Sequence, residues 1–343
     1  MTRPMLGLTM GDPAGVGPEI VLKALRDLDA RAAAGEFELA VIGTASCLAE
    51  AAQRLGMTAV IGRSRGPWPN VRLIEAATTN ASIEAGQLSA EAGRLAFAAI
   101  ERAIQLAMKD EVDAIVTAPI NKAALNQAGY AYPGHTEILA ELTGTGDSCM
   151  MLAHDRLKVT HVSTHVAIAD APKRVTPERL RYVFGLTHQA LLDLGVAHPR
   201  IGVCALNPHA GEGGLFGRED VEIVAPTIEE FRAKGWSIEG PVPGDTVFVK
   251  ALAGQFDAVV AMYHDQGHVA VKTMGFVMDP KTGLMSELSG VNVTLGLPII
   301  RTSVDHGTAF DIAGQGIANP ASMIEAIELA ARMVTSRKRR NQA

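Results

Sequence analysis

The sequence predicts an α/β fold with largely parallel sheets, in about two domains. Three observations predict it. Short continuous apolar runs recur along all 343 residues. Each gives way to a turn rich in Gly, Pro, Asn or His, and then to a segment of helical periodicity. The length suits about two domains.

The first run, Leu6–Met10, precedes the turn Gly11–Gly17. Pro18 and Glu19 open a helix reaching Leu28, where proline's missing N–H costs nothing. Leu39–Ile42 reads as a strand and Ser46–Leu55 as a helix. Ser89–Lys109 is Ala-rich and has good helical propensity. Ala114–Thr117 is a further buried strand, and Met150–Ala153, Val159–Ser163, Ile201–Ala205 and Ala258–Met262 repeat the type. Leu295–Ile300 is another strand. Pro177–Leu194, Val221–Lys234 and Pro320–Val334 carry helical spacing.

Composition excludes several classes. With 48% hydrophobic and 20% charged residues, the chain is not of disordered type. A net charge of −6 argues against a general nucleic-acid binder. No apolar run reaches the ~20 residues of a membrane helix, and Met1–Gly7 lacks a signal-peptide stretch. Cys47, Cys149 and Cys204 are widely spaced, which argues against a disulfide framework or a cysteine zinc knuckle. A soluble cytoplasmic protein is expected. The basic cluster Arg337–Arg340 reads as a solvated, frayed helix end.

The histidines are the informative residues. Ligands in open α/β sheets bind beyond the carboxyl ends of strands. Three such places carry a leading histidine: His165 after Val159–Ser163, His209 after Ile201–Ala205, and His264 after Ala258–Met262. Three neutral imidazoles with an open position suit catalytic zinc, and nickel or cobalt also fit. Alone, each is more simply a surface or hydrogen-bonded residue, so a shared metal and that plainer reading stay open together. His135 and Thr136 stand where a loop enters a helix at Ile138. Free N–H groups there suit phosphate or carboxylate, and ordinary capping by Thr136 is the alternative. Lys272, Asn292 and Arg301 are isolated polar residues bordering apolar runs; Arg and Lys bind phosphate well, and a surface residue or structural ion pair is the plainer reading of each. There is no GxGxxG after the first strand, no GxxxxGK[ST] and no GxSxG. Simple Rossmann, kinase and α/β-hydrolase readings are therefore disfavoured.

The string Asp305–Pro320 resembles the adenosine-binding stretch of isocitrate and isopropylmalate dehydrogenases, metal-assisted enzymes that oxidise and decarboxylate 2-hydroxy acids. Thr9–Glu19, Pro133–Glu137, Thr164-His165, Leu206–Gly214, Tyr263–Gly267 and Asn292–Thr308 are similar, in order, to the sister 4-hydroxythreonine-4-phosphate dehydrogenase family. The resemblance implies a homodimer whose subunits have two α/β/α domains with largely parallel sheets, isocitrate/isopropylmalate dehydrogenase-like, with the active site in the interdomain cleft at the subunit interface. It implies a first domain of about 1–125 plus 300–343 and a second of 126–299. It also implies one divalent metal, usually zinc with magnesium, cobalt or nickel as alternatives, held by His165, His209 and His264. Substrate contacts are implied for His135, Thr136, Lys272, Asn292 and Arg301, and cofactor contacts, to NAD or NADP, for His306, Asp311 and Asn319.

The expected reaction is oxidation and decarboxylation of 4-phosphooxy-L-threonine to 3-amino-2-oxopropyl phosphate in vitamin B6 synthesis. His268, after Asp-Gln-Gly, and an extra polar loop at Met278–Ser289 are more similar to paralogues. Those act on 4-phosphorylated threonate or erythronate and yield dihydroxyacetone phosphate, and this is the alternative. Lys272 and Asp245 are the catalytic candidates; for Asp245 a plain turn residue is the competing reading.

Overall fold

The computed structural model describes residues 3–57, 71–280 and 285–342. In chain order the elements begin with β1 (Met5–Thr9), α1 (Gly17–Ala33), β2 (Glu38–Gly43) and α2 (Ala45–Arg54). They continue with β3 (Val71–Glu75), α3 (Ala90–Met108), β4 (Ala114–Thr117), α4 (Lys122–Gln127) and α5 (His135–Thr143). Next come β5 (Cys149–His154), β6 (Leu157–His161), α6 (Pro177–Asp193), β7 (Arg200–Cys204), α7 (Ala225–Arg232) and β8 (Ser237–Val242). The remainder is α8 (Gly244–Leu252), β9 (Ala258–Ala261), α9 (His264–Gly275), β10 (Phe276–Met278), β11 (Met285–Leu288), β12 (Val291–Leu295), β13 (Ile300–Val304) and α10 (Ala321–Gln342). Of the polar loop Met278–Ser289, residues Lys281–Leu284 lie outside the described residues.

The chain divides into two compact units. The first comprises Met1–Ser148, Glu287–Val291 and Leu297–Thr335, the second Cys149–Ser286, Asn292–Gly296 and Ser336–Ala343. The first boundary thus falls after Ser148 and not near 125. The reason is packing: Leu125 of α4 and Ile138 and Leu139 of α5 are buried in one cluster with Phe97 and Ile100 of α3. Gly93 permits the approach of α3 to α4, since a Cβ there would lie 2.1 Å from the Ala124 carbonyl oxygen.

In the first unit the strands run β3-β2-β1-β4-β13, and every pair is parallel. The near-continuous burial of β1, β2, β4 and β13 fits a parallel sheet covered on both faces, with β3 its more exposed edge. In the second unit the order is β12-β5-β6-β9-β7-β8. The pairs from β6 to β8 are parallel, whereas β5 and β6 form an antiparallel pair. Val159, Val259, Cys204, Val247 and Phe256 form the core there.

Local chemistry explains the helix starts. Ser89 caps α3 by accepting from Ala92 N, and Asn121 and Thr176 do the same for α4 and α6. The expected helix at Val221–Lys234 is α7, preceded by a wider π-type turn at Asp220–Val224. The basic C-terminal cluster is not frayed. Arg337 and Arg340 both donate to Asp193, buried at the end of α6, at 2.6 and 2.5 Å. No helix among the described residues is long and apolar enough to cross a membrane.

Candidate active site

In the second unit, His165 and His264 follow the ends of β6 and β9. Their rings lie 6.0 Å apart, beside a pocket of about 320 Å³ lined by Thr164, His165, Ile168, Tyr263, His264 and Asp265. His264 Nδ1 is 2.7 Å from Asp265 Oδ1. A carboxylate on Nδ1 fixes the tautomer and leaves the Nε2 lone pair for a ligand. The segment after β9, read from the sequence as a strand-end turn, already starts α9 at His264. His209 follows β7 and faces Phe216, with ring centroids 6.2 Å apart. Among the described residues, no three His, Cys, Asp or Glu side chains are gathered for a metal. The structure therefore brings two of the three expected ligands together and leaves His209 outside that pair. The donor chemistry of the pair suits a borderline divalent ion: imidazoles, one anchored by a carboxylate, open to a pocket.

Starting α9 at His264 puts His264, His268 and Lys272 on one helical face. The ring of His268 stacks on that of His264, centroids 3.6 Å apart and planes 9° from parallel. His268 Nδ1 is 2.9 Å from the His264 carbonyl oxygen. Behind His268 stands His161, its ring 4.8 Å away. His161 is fully buried and its Nε2 has no hydrogen-bond partner. Burial pushes His161 down to about 3, helped by nearby His268, and pushes His268 down to about 4. Both rings are neutral at physiological pH. Lys272 Nζ sits 4.9 Å from the Phe276 ring centroid. Asn292, on β12, donates to Met150 Sδ at 3.0 Å. Asp245 is exposed in the first turn of α8, where an acidic residue favours the helix dipole.

The segment bearing His209 has an unusual backbone. His209, Ala210, Gly211, Glu212 and Gly213 have φ of 52°, 54°, 77°, 43° and 66°, a left-handed turn. Each non-glycine residue in that region costs roughly 1–2 kcal/mol. Beneath it, buried Asp220 accepts from Leu206 N and Asn207 N at 2.8 and 2.9 Å, and from Asn207 Nδ2 at 3.0 Å.

The first unit holds a separate cationic cradle. Arg301 on β13 is buried, and its Nε and Nη2 donate to Thr117 Oγ1 at 3.2 and 2.7 Å. Burial pulls its pKa down to about 9, which leaves it charged at neutral pH, and an anion there would stabilise that charge. His135, the first residue of α5, is close enough to Arg301 for its pKa to be lowered by burial and then by that charge. Its Nε2 is sealed from solvent without a partner. The N-cap of α5 is Gly134, with no side-chain cap, and Thr136 lies inside the helix. Thr136 therefore does not cap α5, and the free N–H groups of its first turn point out beside His135.

Near the cofactor candidates, the loop after β13 is stapled to α1. Glu19 accepts from Ala318 N at 2.8 Å and Gly316 N at 3.2 Å. Lys23 donates to the carbonyls of Gly316 and Ala318 at 2.8 and 2.7 Å. His306 Nδ1 is 2.9 Å from Gly307 O. The Asp311 carbonyl accepts from Gln315 Nε2, and Asn319 Oδ1 accepts from Ala321 N, capping α10. A small cleft beside this loop is lined by Gly15, Glu19, Cys47, Arg54, Gly314 and Gly316.

Three polar residues stand out that sequence reasoning did not select: Asp12, His161 and Asp220. Asp12 is fully buried, with Oδ1 accepting from Ala14 N at 2.8 Å and Oδ2 unpartnered. Burial raises its pKa to about 6. Its signal was an acidic residue in a glycine-rich strand-end turn.

Comparison with known proteins gives this architecture a family. A relative from Bradyrhizobium diazoefficiens, provisionally named a D-threonate 4-phosphate dehydrogenase, is 58% identical over 336 residues, covering 97% of each chain. A 4-hydroxythreonine-4-phosphate dehydrogenase from Beijerinckia indica is 45% identical over 335 residues, covering 96% of this chain and 94% of its own. The crystal structure of a 4-hydroxythreonine-4-phosphate dehydrogenase from Burkholderia phymatum superposes with a TM-score of 0.81 at 43% identity, covering 96% of this chain and 98% of that one. Residues 35–330 match the family model described as pyridoxal phosphate biosynthetic protein PdxA. The chain is an oxidoreductase and belongs to that PdxA family.

Proposed function

We propose that the protein oxidises D-threonate 4-phosphate at C3 with NAD and releases CO₂, giving dihydroxyacetone phosphate. The observation that carries this choice over the amino-acid substrate is His268. A neutral imidazole, and not an apolar side chain, backs His264. The higher identity to the relative bearing the D-threonate name points the same way. Oxidation of 4-phosphooxy-L-threonine is the second reading, favoured by the relatives that carry the 4-hydroxythreonine name.

Arg301 and His135, with the first-turn N–H groups of α5 and with Thr136, are assigned to the substrate's anionic phosphate. His165, His264 and His209 are assigned to a divalent cation, zinc first, which when bound supplies Lewis acidity toward the alcohol and ketone oxygens. Lys272, on the His264 face of α9, is assigned as the base that in its neutral form takes the C3 hydroxyl proton as hydride passes to the nicotinamide carbon. Asn292 is assigned to substrate orientation. The β-keto acid then loses CO₂ by breaking its C1–C2 bond. The electron pair passes into the enolate of the C3 ketone, and C2 takes up a proton from solvent, with Asp245 the candidate to relay it. His306, Asp311 and Asn319 are assigned to the cofactor loop, where Asn319 already has a capping duty.

The same reading includes a homodimer in the cytoplasm. Ile168, Leu215 and Phe216 are large exposed apolar side chains close in sequence to His165 and His209, and a second copy covering them would enclose that chemistry.

The test is NADH formation by the metal-supplemented protein, with D-threonate 4-phosphate and 4-phosphooxy-L-threonine offered in parallel. Preferred turnover of the hydroxy acid supports the proposal. Preferred turnover of the amino acid reverses it in favour of vitamin B6 synthesis. No NADH from either, with metal confirmed bound, removes both substrates.

A further inference from the structure

We propose that Asp220 is a positioning residue: it clamps the left-handed turn His209–Gly213 so that His209 is presented to the metal in one orientation. The inference rests on the reading of His209 as a metal ligand and adds how the chain holds it.

The turn does not hold itself. Three of its five residues, His209, Ala210 and Glu212, are not glycines, yet all have φ between 43° and 54°. Side chains with a Cβ leave that region unless the surroundings over-determine it. The surroundings are a frame around Asp220. Its two carboxylate oxygens accept three hydrogen bonds, from Leu206 N, Asn207 N and Asn207 Nδ2, at 2.8, 2.9 and 3.0 Å. These partners are the residues leading into Pro208 and His209. Asn207 Nδ2 also donates to Glu219 Oε2 at 2.9 Å, binding the entry strand to the residue before Asp220. On the far side, Phe216 N donates to Gly211 O at 3.1 Å and closes the turn. Gly211 is buried so tightly that a Cβ would lie 2.8 Å from the Gly217 carbonyl oxygen.

The frame is fixed in turn to the core. Asp220 is fully buried and opens the π-type turn that runs into α7, and α7 buries Ile228 and Phe231. The exposed imidazole of His209 therefore hangs from a strained segment gripped at both ends. If the turn relaxed to the right-handed region, the backbone at His209 would swing and the ring would point elsewhere. A ligand left to find its place would lose orientation before binding, which lowers metal affinity. The carboxylate is required because it accepts from two backbone amides at once. In Asp220→Asn one of those amides would face an NH₂ group.

The experiment uses the full-length protein and measures the cobalt(II) dissociation constant by calorimetry, alongside thermal unfolding and the separate kcat and KM for D-threonate 4-phosphate. Asp220→Asn should weaken cobalt binding about tenfold or more. A second pair guards against a folding failure at the buried site. Ala210→Gly, which accepts positive φ freely, should bind cobalt within about twofold of wild type, whereas the β-branched Ala210→Val should weaken it about tenfold. His209→Ala serves as the reference. If it loses cobalt while Asp220→Asn and Ala210→Val bind as wild type, positioning by this frame is overturned and the ligand assignment survives. If His209→Ala itself binds cobalt like wild type, the ligand assignment fails and takes the inference with it.

Discussion

The imidazole of His268 lies flat on that of His264, with centroids 3.6 Å apart and 9° between the planes. The contact is one helical turn long, so it exists only because α9 begins at His264. It fixes the back of a proposed ligand with a polar, neutral ring. Replacing His268 with Leu keeps the volume and removes the ring. We expect kcat/KM for D-threonate 4-phosphate to fall roughly 10–100-fold, the range seen when support behind a metal ligand is lost. Steady-state rates on both candidate substrates check this. An unchanged preference between them would retire His268 as the selecting residue.

Arg301 should govern the affinity for phosphorylated substrates. Its forked guanidinium is buried against Thr117, and lysine cannot reproduce that geometry. Arg301→Lys should raise KM about tenfold to hundredfold, as expected for hydrogen bonds to a charged group worth ~1.5–3 kcal/mol. Inorganic phosphate should raise the wild-type melting temperature and leave that of Arg301→Ala nearly unmoved. Equal stabilisation of both proteins by phosphate would move the anion site elsewhere.

Asp12 makes stability depend on pH in a stated direction. Burial raises its pKa from 3.8 to about 6, so the folded protein holds this proton more tightly than the unfolded chain. Its stabilising contribution is fully present below about pH 4 and is lost as pH rises through about 6. Asp12→Asn removes the titration. The melting temperature of the variant relative to wild type should therefore climb between pH 4 and 7, by the equivalent of up to roughly 2–3 kcal/mol. Parallel melting curves across that window, with a constant offset, would show that Asp12 does not titrate there.

Gly267 is a packing requirement of the histidine stack. A Cβ there would lie 2.3 Å from His161 Nε2 and 2.8 Å from Val159. Gly267→Ala should destabilise the protein by roughly 1–3 kcal/mol through overpacking. It should also disturb α9, and with it His264. Calorimetric unfolding at neutral pH measures the cost, and a melting temperature equal to wild type would mean that the two elements part easily.

Much of the architecture was legible because each buried strand is a continuous apolar run ending in polar residues. That is how His165, His209 and His264 stand out in the sequence; Arg301 is expected after a strand at Leu295–Ile300, but it lies within β13, whose polar residues break the apolar run. The α9 start was hidden because Tyr263–Gly267 has the glycine and polar content of a loop; packing against β6, with Gly267 at His161, makes it helical. The sequence alone puts residues 126–148, with α5, in the second domain, since nothing local shows that Ile138 and Leu139 are buried beside Phe97. Asp220 escaped notice because its partners are Leu206 and Asn207, more than a dozen residues upstream. Arg301 and His135 were each selected, but their proximity joins residues far apart in the chain and has no short-range signature.

The placement of β13 carries a consequence for how the protein is made. β13 pairs with β4, so that Ile300 meets Ala114 and Ser303 meets Thr117, yet the bulk of the second unit is synthesised between them. On the ribosome, β4 emerges before β13 and waits with one edge bare until the intervening unit has been translated. The nascent N-terminal piece is therefore both incomplete and adhesive. It also lacks Arg301, so the cationic cradle proposed for the phosphate forms only once β13 has been made.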